Sequence, residues 1–313
     1  MSARDQILAV EENIGRVIVG KHQTVRFVVA ALVAGGHVLL EDVPGTGKTM
    51  LAKALAKSIN VDYARIQFTP DLLPSDVTGL DVYEQKTGTF EFKKGPVFTN
   101  ILLADEINRA TPRTQSGLLE CMEERQVTID GVTRQLDKPF FVIATQNPIE
   151  TAGTFPLPEA QMDRFLVKLS MGLPDKEEEI AIMKRFVAGN ALDEIAQVAS
   201  AADILATHDE AAAVRIPDAV ASYLADIVIA TRNRDDLAAG ASPRGSLATA
   251  RIAQVLALLD GRDYVVPEDI KLAAVPTLAH RLHAAHTYGV AASTQRIIEE
   301  ILRIVPVPTE EFK

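Results

Sequence analysis

Apolar residues fall along this chain in two rhythms. From residue 5 to 16, and again from 22 to 34, they recur at the three-and-four spacing of an amphipathic helix. Between such segments stand a strand at 38–41 and short apolar runs at 99–104 and 140–144, while 64–68 and 165–169 read as further short strands. A run without polar interruption is what a strand buried on both faces looks like. Residues 112–124 predict another helix, with Thr111 as cap and Pro112 at its first position. Helices and strands alternate from 22 to 170, which predicts a wound parallel α/β sheet.

Two stretches break the alternation. Residues 69–98 are rich in glycine and proline, and 80–84 and 89–93 alternate as the arms of an inserted β-hairpin. A second hairpin is predicted from 126–129, the turn Asp130-Gly131 and 132–136. After about residue 174 the texture changes. Segments 175–189, 201–212, 217–233, 244–260, 267–280 and 290–304 are alanine-rich with helical spacing, and 235–240 is a polar break. We therefore expect an α/β core over 1–190 and an all-helical domain over 191–313.

Composition narrows the class. At 313 residues, the chain is long enough for two domains with a sizeable core. A net charge of −10 argues against a non-specific nucleic-acid binder, which normally carries a basic face. The single cysteine, Cys121, has no partner for a disulfide or a ligand cluster and reads as a small buried hydrophobe. The longest apolar stretch, 27–40, is broken by Gly35, Gly36 and His37 and is too short for a bilayer. The polar N-terminus lacks the apolar core of a signal peptide, so a cytoplasmic protein is expected.

The candidate chemistry centres on Val38 to Thr49. An apolar strand enters the loop Pro44-Gly45-Thr46-Gly47-Lys48-Thr49, and Met50 opens a helix-favouring segment. Strand, glycine-rich loop and helix start are the setting of a phosphate-binding loop. Glycine lets backbone N–H groups turn inward, and the helix start adds unpaired donors. Lys48 would reach the β- and γ-phosphates, and the Thr49 hydroxyl would hold Mg²⁺. Position 42, where the full pattern has glycine, is Asp42; an ordinary strand-to-helix turn would share part of this pattern.

A second apolar run ends in Asp105 and Glu106. Adjacent residues at a strand end point to opposite sides and so suit different tasks, Asp105 as a Mg²⁺ ligand and Glu106 as the base for an attacking water. The strand ending at Thr145-Gln146-Asn147 offers Asn147 to position that water or touch the γ-phosphate; a turn before Pro148 would also suit an asparagine. Arg164, before the last strand, could complete a neighbouring subunit's site, and Arg244 opens a helix after Ser242-Pro243. Either arginine alone would most often be a surface ion pair.

Taken in order, these pieces resemble an AAA+ P-loop ATPase, and more narrowly the MoxR family. The stretches that carry the likeness are Arg65–Asp76, Leu103–Ala110, Phe155–Phe165 and Gly240–Arg244. The resemblance covers nearly the whole chain. It implies ATP and Mg²⁺ as ligands, with 44–49 as Walker A, 101–106 as Walker B, Asn147 as sensor 1, Arg164 as arginine finger and Arg244 as sensor 2. It implies a homo-oligomer, usually a hexameric ring with sites between subunits, and a helical lid whose Arg244 can act across the interface. The hairpins would face the pore or one side of the ring. Gly20 would lie near the adenine, and Arg109 would contact the adjacent subunit. The family resemblance further implies chaperone-like remodelling, often with a partner bearing a von Willebrand factor A domain.

Two other classes remain at this stage. One is a nucleotide-regulated scaffold with little turnover, against which the Asp105-Glu106 pair speaks. The other is a helicase-like motor using Lys93, Lys94 and Arg134, against which the acidic balance and 5% aromatic content speak.

Overall fold

The computed structural model describes residues 2–148, 153–189, 191–285 and 293–309. In chain order the first part runs α1 (Ala3–Val17), α2 (His22–Val33), β1 (Val38–Glu41), α3 (Lys48–Ile59) and β2 (Tyr63–Gln67). Next come α4 (Pro74–Thr78), β3 (Gly79–Glu84), β4 (Thr89–Lys94), β5 (Ile101–Asp105) and α5 (Pro112–Glu124). After β6 (Gln126–Ile129), β7 (Val132–Gln135) and β8 (Phe141–Gln146), the short α6 (Glu159–Met162) leads to β9 (Val167–Leu169).

Five strands form one parallel sheet in the order β2-β5-β8-β1-β9. Side chains alternate across it as strand geometry requires. Ile101, Leu103, Phe141 and Ile143 join the core beneath α1, α2 and α3, while Leu102, Ala104, Val142 and Ala144 face α5. Both faces are covered, which is why these strands carry few polar residues. The carboxyl ends of β1, β5 and β8 open on one edge, where wound sheets bind ligands.

Both hairpins form as predicted, β3 with β4 and β6 with β7. They are also tied to each other. The Arg134 guanidinium lies 3.9 Å from the centre of the Phe92 ring and 3.4 Å from Asp81. At the outer end of the first hairpin, Tyr83 and Phe90 pack edge to face and are exposed, Phe90 at 72%.

The remaining helices are α7 (Lys176–Ala188), α8 (Ala201–Ala212), α9 (Asp218–Arg232), α10 (Pro243–Leu259), α11 (Pro267–Leu278) and α12 (Thr294–Ile304). Residues 290–292, predicted as the start of the last helix, lie outside the described residues. The helical domain carries one addition: β10 (Leu237–Ala239) pairs antiparallel with β11 (His283–Ala284), across the predicted polar break. Strands this short leave no period to read. Its own core gathers α9, α11, α12 and one face of α10. The other face of α10 packs with α8 into the core beneath the sheet, through Ile252, Val255, Leu256, Ile204 and Ala211. The lid thus shares apolar surface with the nucleotide-binding half.

Candidate functional site

The loop after β1 turns on two glycines in the left-handed region, Gly45 at φ 87° and Gly47 at φ 91°. A side chain at either position would strain the backbone. Gly47 caps α3, so Lys48 and Thr49 stand at a helix N-terminus whose N–H groups are unpaired in the helix. Lys48 Nζ donates to the carbonyls of Asp42 (3.0 Å) and Val43 (3.1 Å), folded back along its own loop. Partial burial lowers the Lys48 pKa, with Asp42, Asp105 and Glu106 opposing that shift.

Asp42, which departs from the usual glycine, is a buried structural brace. Its carboxylate accepts from Ser170 Oγ (2.7 Å), Met171 N (2.7 Å) and Gly172 N (3.0 Å), fastening the chain after β9 to the start of the loop.

Pro44, Gly45, Gly47, Lys48, Thr49, Met50, Asp105, Glu106 and Asn147 line one cavity of about 410 Å³. The predicted residues of the three strand ends therefore meet. Between them stands Thr145, which sequence reasoning missed. Its hydroxyl donates to Asp105 Oδ1 (2.6 Å) and accepts from Glu106 N (2.9 Å). Glu106 itself has φ 56°, an uncommon conformation for a non-glycine residue and typical of functional sites.

Two residues of β2 complete the pocket, and neither stood out as a site residue in the sequence. Arg65 pairs with Asp105 Oδ2 at 2.6 Å, and Gln67 Nε2 donates to Glu106 Oε2 at 2.8 Å. The signal was present in the Arg65–Asp76 stretch, but only the β2–β5 register sets Gln67 opposite Asp105. Arg109, expected at the adjacent subunit, reaches Glu106 Oε2 of its own chain at 3.0 Å.

An adjoining cavity of about 600 Å³ is walled by Val17, Ile18, Val19, Met50, Pro174 and Ile182, with Thr46, Gly45 and Gly47 at its border. Lys21 and Arg185 add two cations to this mainly apolar lining. Gly20 is flanked by two residues of this lining, Val19 and Lys21, without lining the cavity itself. Its missing Cβ makes room for the Glu178 carboxylate, which would sit 1.8 Å from it and which pairs with Lys21 at 2.8 Å.

For Mg²⁺ the fit is good. Thr49 and Asp105 line the same cavity, and a cation that keeps waters and phosphate oxygens needs only one or two protein ligands. Among the described residues no cluster of three or more His, Cys, Asp or Glu forms a metal cage of its own.

Arg164 and Arg244 do not enter this cavity. They meet on another face, beside a depression of about 380 Å³ that they line with Glu123, Asp163, Arg251 and Arg281. Glu123 lies 3.1 Å from Arg164 Nε and 3.0 Å from Arg244 Nη2. Behind them the buried Arg281 donates to Asp163 Oδ1 (2.7 Å) and to the carbonyl of Phe165 (2.7 Å), clasping the segment that carries Arg164.

Residues 37–167 match the AAA ATPase family, "ATPase family associated with various cellular activities", and residues 229–301 match the AAA lid domain. Chaperone MoxR1 of Mycobacterium tuberculosis is 43% identical over 308 residues, covering 95% of this chain and 81% of that protein. This chain belongs to the MoxR family of AAA+ ATPases. The Bacillus subtilis protein YeaC is 51% identical over 302 residues, with 96% of this chain and 94% of YeaC covered. The crystal structure of a candidate ATPase from Cytophaga hutchinsonii superposes with a TM-score of 0.90 at 43% identity, covering 98% of this chain and 96% of that one. The MoxR-type fold, a P-loop sheet with inserted hairpins and a helical lid, is thus the one described above.

Proposed function

We propose that this MoxR-family protein hydrolyses ATP at sites shared between copies of itself, and uses the cycle to remodel or mature partner protein complexes. The observation that carries the shared site is the separation just described. Lys48, Thr49, Asp105, Glu106 and Asn147 converge on one cavity, while Arg164 and Arg244 are held together on a different face. A ring, hexameric by family resemblance, brings one copy's arginine face to the next copy's phosphate cavity.

Within the cavity, Lys48 and the loop N–H groups bind the β- and γ-phosphates. Mg²⁺, held by Thr49 and Asp105, supplies neutralisation of phosphate charge. The Thr145 hydroxyl fixes Asp105 and the backbone of Glu106. Glu106 takes the proton of the attacking water, whose position Asn147 helps to set. Arg164 from the neighbour meets charge on the transferring phosphoryl group, with Arg244 beside it.

The name of MoxR1 supports a chaperone-like role, and family resemblance suggests a partner bearing a von Willebrand factor A domain. Tyr83 and Phe90 at the outer end of the first hairpin form an exposed aromatic pair that a client could contact. A cytoplasmic setting suits the lone, buried thiol of Cys121. No described helix is long and apolar enough to cross a membrane. The nucleic-acid reading loses one of its cations, because Arg134 is taken up by Asp81 and Phe92.

Glu106→Gln separates enzyme from scaffold. The variant should bind ATP as the parent does but release phosphate about 10²- to 10⁴-fold more slowly, and it should retain partners in pull-downs with ATP. Unchanged phosphate release would end the hydrolytic reading.

A further inference from the structure

Glu123 lies on the last turn of α5, and its two carboxylate oxygens serve two different arginines. Oε2 stands 3.1 Å from Arg164 Nε, and Oε1 accepts from Arg244 Nη2 at 3.0 Å. Arg164 belongs to the segment before β9, and Arg244 is the second residue of lid helix α10. One carboxylate thus draws two guanidiniums from the core and the lid side by side. Like charges at this range repel unless an anion sits between them. Holding Arg164 through Nε leaves its terminal nitrogens, the fork that matches phosphate geometry, for a second anion.

The backbone beneath Arg164 is secured separately, by Arg281 on Asp163 and on the Phe165 carbonyl. Asp163 Oδ2 also lies 3.8 Å from Arg244 Nη1, whereas Glu123 pairs with both arginines, so what Glu123 adds is their direction relative to each other. The ion pairs are partly exposed, with side-chain accessibilities of 30% for Arg164, 38% for Glu123 and 58% for Arg244. Pairs so open contribute little to folding stability, so an explanation by stability alone is weak here.

We infer that Glu123 is a positioning residue: its carboxylate holds Arg164 and Arg244 as one cationic pair, joining core to lid, for presentation to phosphates bound by a neighbouring copy of this chain. The inference rests on the shared-site reading and adds to it. The lid's position and the finger's aim become a single variable, because moving α10 drags on the carboxylate that orients Arg164.

The test uses full-length protein at concentrations where assembly is complete. Glu123→Gln keeps shape and loses charge. Its kcat should fall roughly 10- to 100-fold, the scale of a misplaced catalytic group. KM for ATP and the thermal midpoint should stay near the parent values, since the substrate's own cavity is untouched. Glu123→Asp, which retains the charge on a shorter arm, should recover part of the lost kcat. Mixing then assigns the defect to one side of the interface. Glu106→Gln protomers cannot hydrolyse but carry intact Glu123, Arg164 and Arg244, so combining them with Glu123→Gln protomers should raise activity above the sum of the two preparations. Mixtures of Arg164→Ala with Glu106→Gln are the control. Parental kcat in Glu123→Gln, or no recovery on mixing while the control recovers, overturns the role of Glu123. If the control mixture also fails to recover, the shared site itself is refuted, and the inference with it.

Discussion

The phosphate cavity and the arginine face differ in charge and in how they are held together: acidic side chains outnumber basic ones in the cavity lining, and arginines outnumber carboxylates on the other face. In the cavity, the key side chains come from the ends of core strands and the first turn of α3, and their anchors come from neighbouring strands and the loop itself. Thr145 holds Asp105, Gln67 holds Glu106, and loop carbonyls hold Lys48. The arginine face draws its parts from α5, the segment before β9, and the lid. Arg164 and Arg244 are paired with Glu123, while the buried Arg281 donates to Asp163 and to backbone carbonyls. The first region is organised as a receptor and the second as a donor. One copy contains both, lining different cavities, and in the proposed function assembly would join them into one site.

The sharpest way to break this comparison is Arg164→Ala. On the account above it lowers kcat by about 10³- to 10⁵-fold and leaves ATP affinity near its parent value, as measured by equilibrium binding alongside phosphate release. Loss of binding instead would move Arg164 into its own copy's cavity. Glu106→Gln, on the receptor side, should cost about 10²- to 10⁴-fold in turnover, again with nucleotide retained.

Effects on stability come next. Asp42→Ala removes three hydrogen bonds to a buried carboxylate and should cost roughly 3–4 kcal/mol in urea unfolding. A parental midpoint would show that the brace after β9 is dispensable.

His37 gives the smallest effect and links the two regions. It is buried, with Nε2 3.1 Å from the Met122 carbonyl and Nδ1 accepting from Val142 N at 3.0 Å, so it ties the end of α5 to β8. Burial pulls its pKa from 6.5 down to about 4. The unfolded chain gains a proton near pH 6.5, whereas the native imidazole stays neutral until about pH 4. Stability present above 6.5 is therefore lost as pH falls through that window, by about 3 kcal/mol in all. His37→Gln should flatten this part of the pH–stability curve; an unchanged slope would assign it to other groups.

The sequence made the receptor legible and left the donor half-read. Gly45, Gly47, Lys48 and Thr49 must be contiguous because one turn has to present N–H groups, a cation and a hydroxyl together, so local pattern carries the chemistry. The same holds for Asp105-Glu106 after an unbroken apolar run. Thr145, Arg65 and Gln67 act across strands, and which residue faces which depends on sheet register rather than spacing along the chain. Arg164 and Arg244 could be singled out by motif, but their meeting at Glu123 is tertiary. Nothing in the run Glu120-Cys121-Met122-Glu123-Glu124 sets one carboxylate apart from the others. The β10–β11 ribbon escaped for a related reason, since Leu237-Ala238-Ala239 reads as easily as the edge of a helix.

The claim on which all of this depends is that catalysis belongs to the contact between copies. Phosphate release per protomer, followed across a dilution series at saturating ATP, tests it most directly. The account predicts that specific activity collapses as protein is diluted below the assembly range and returns on concentration. Full, concentration-independent turnover by protein shown to be monomeric in the same buffer would contradict it.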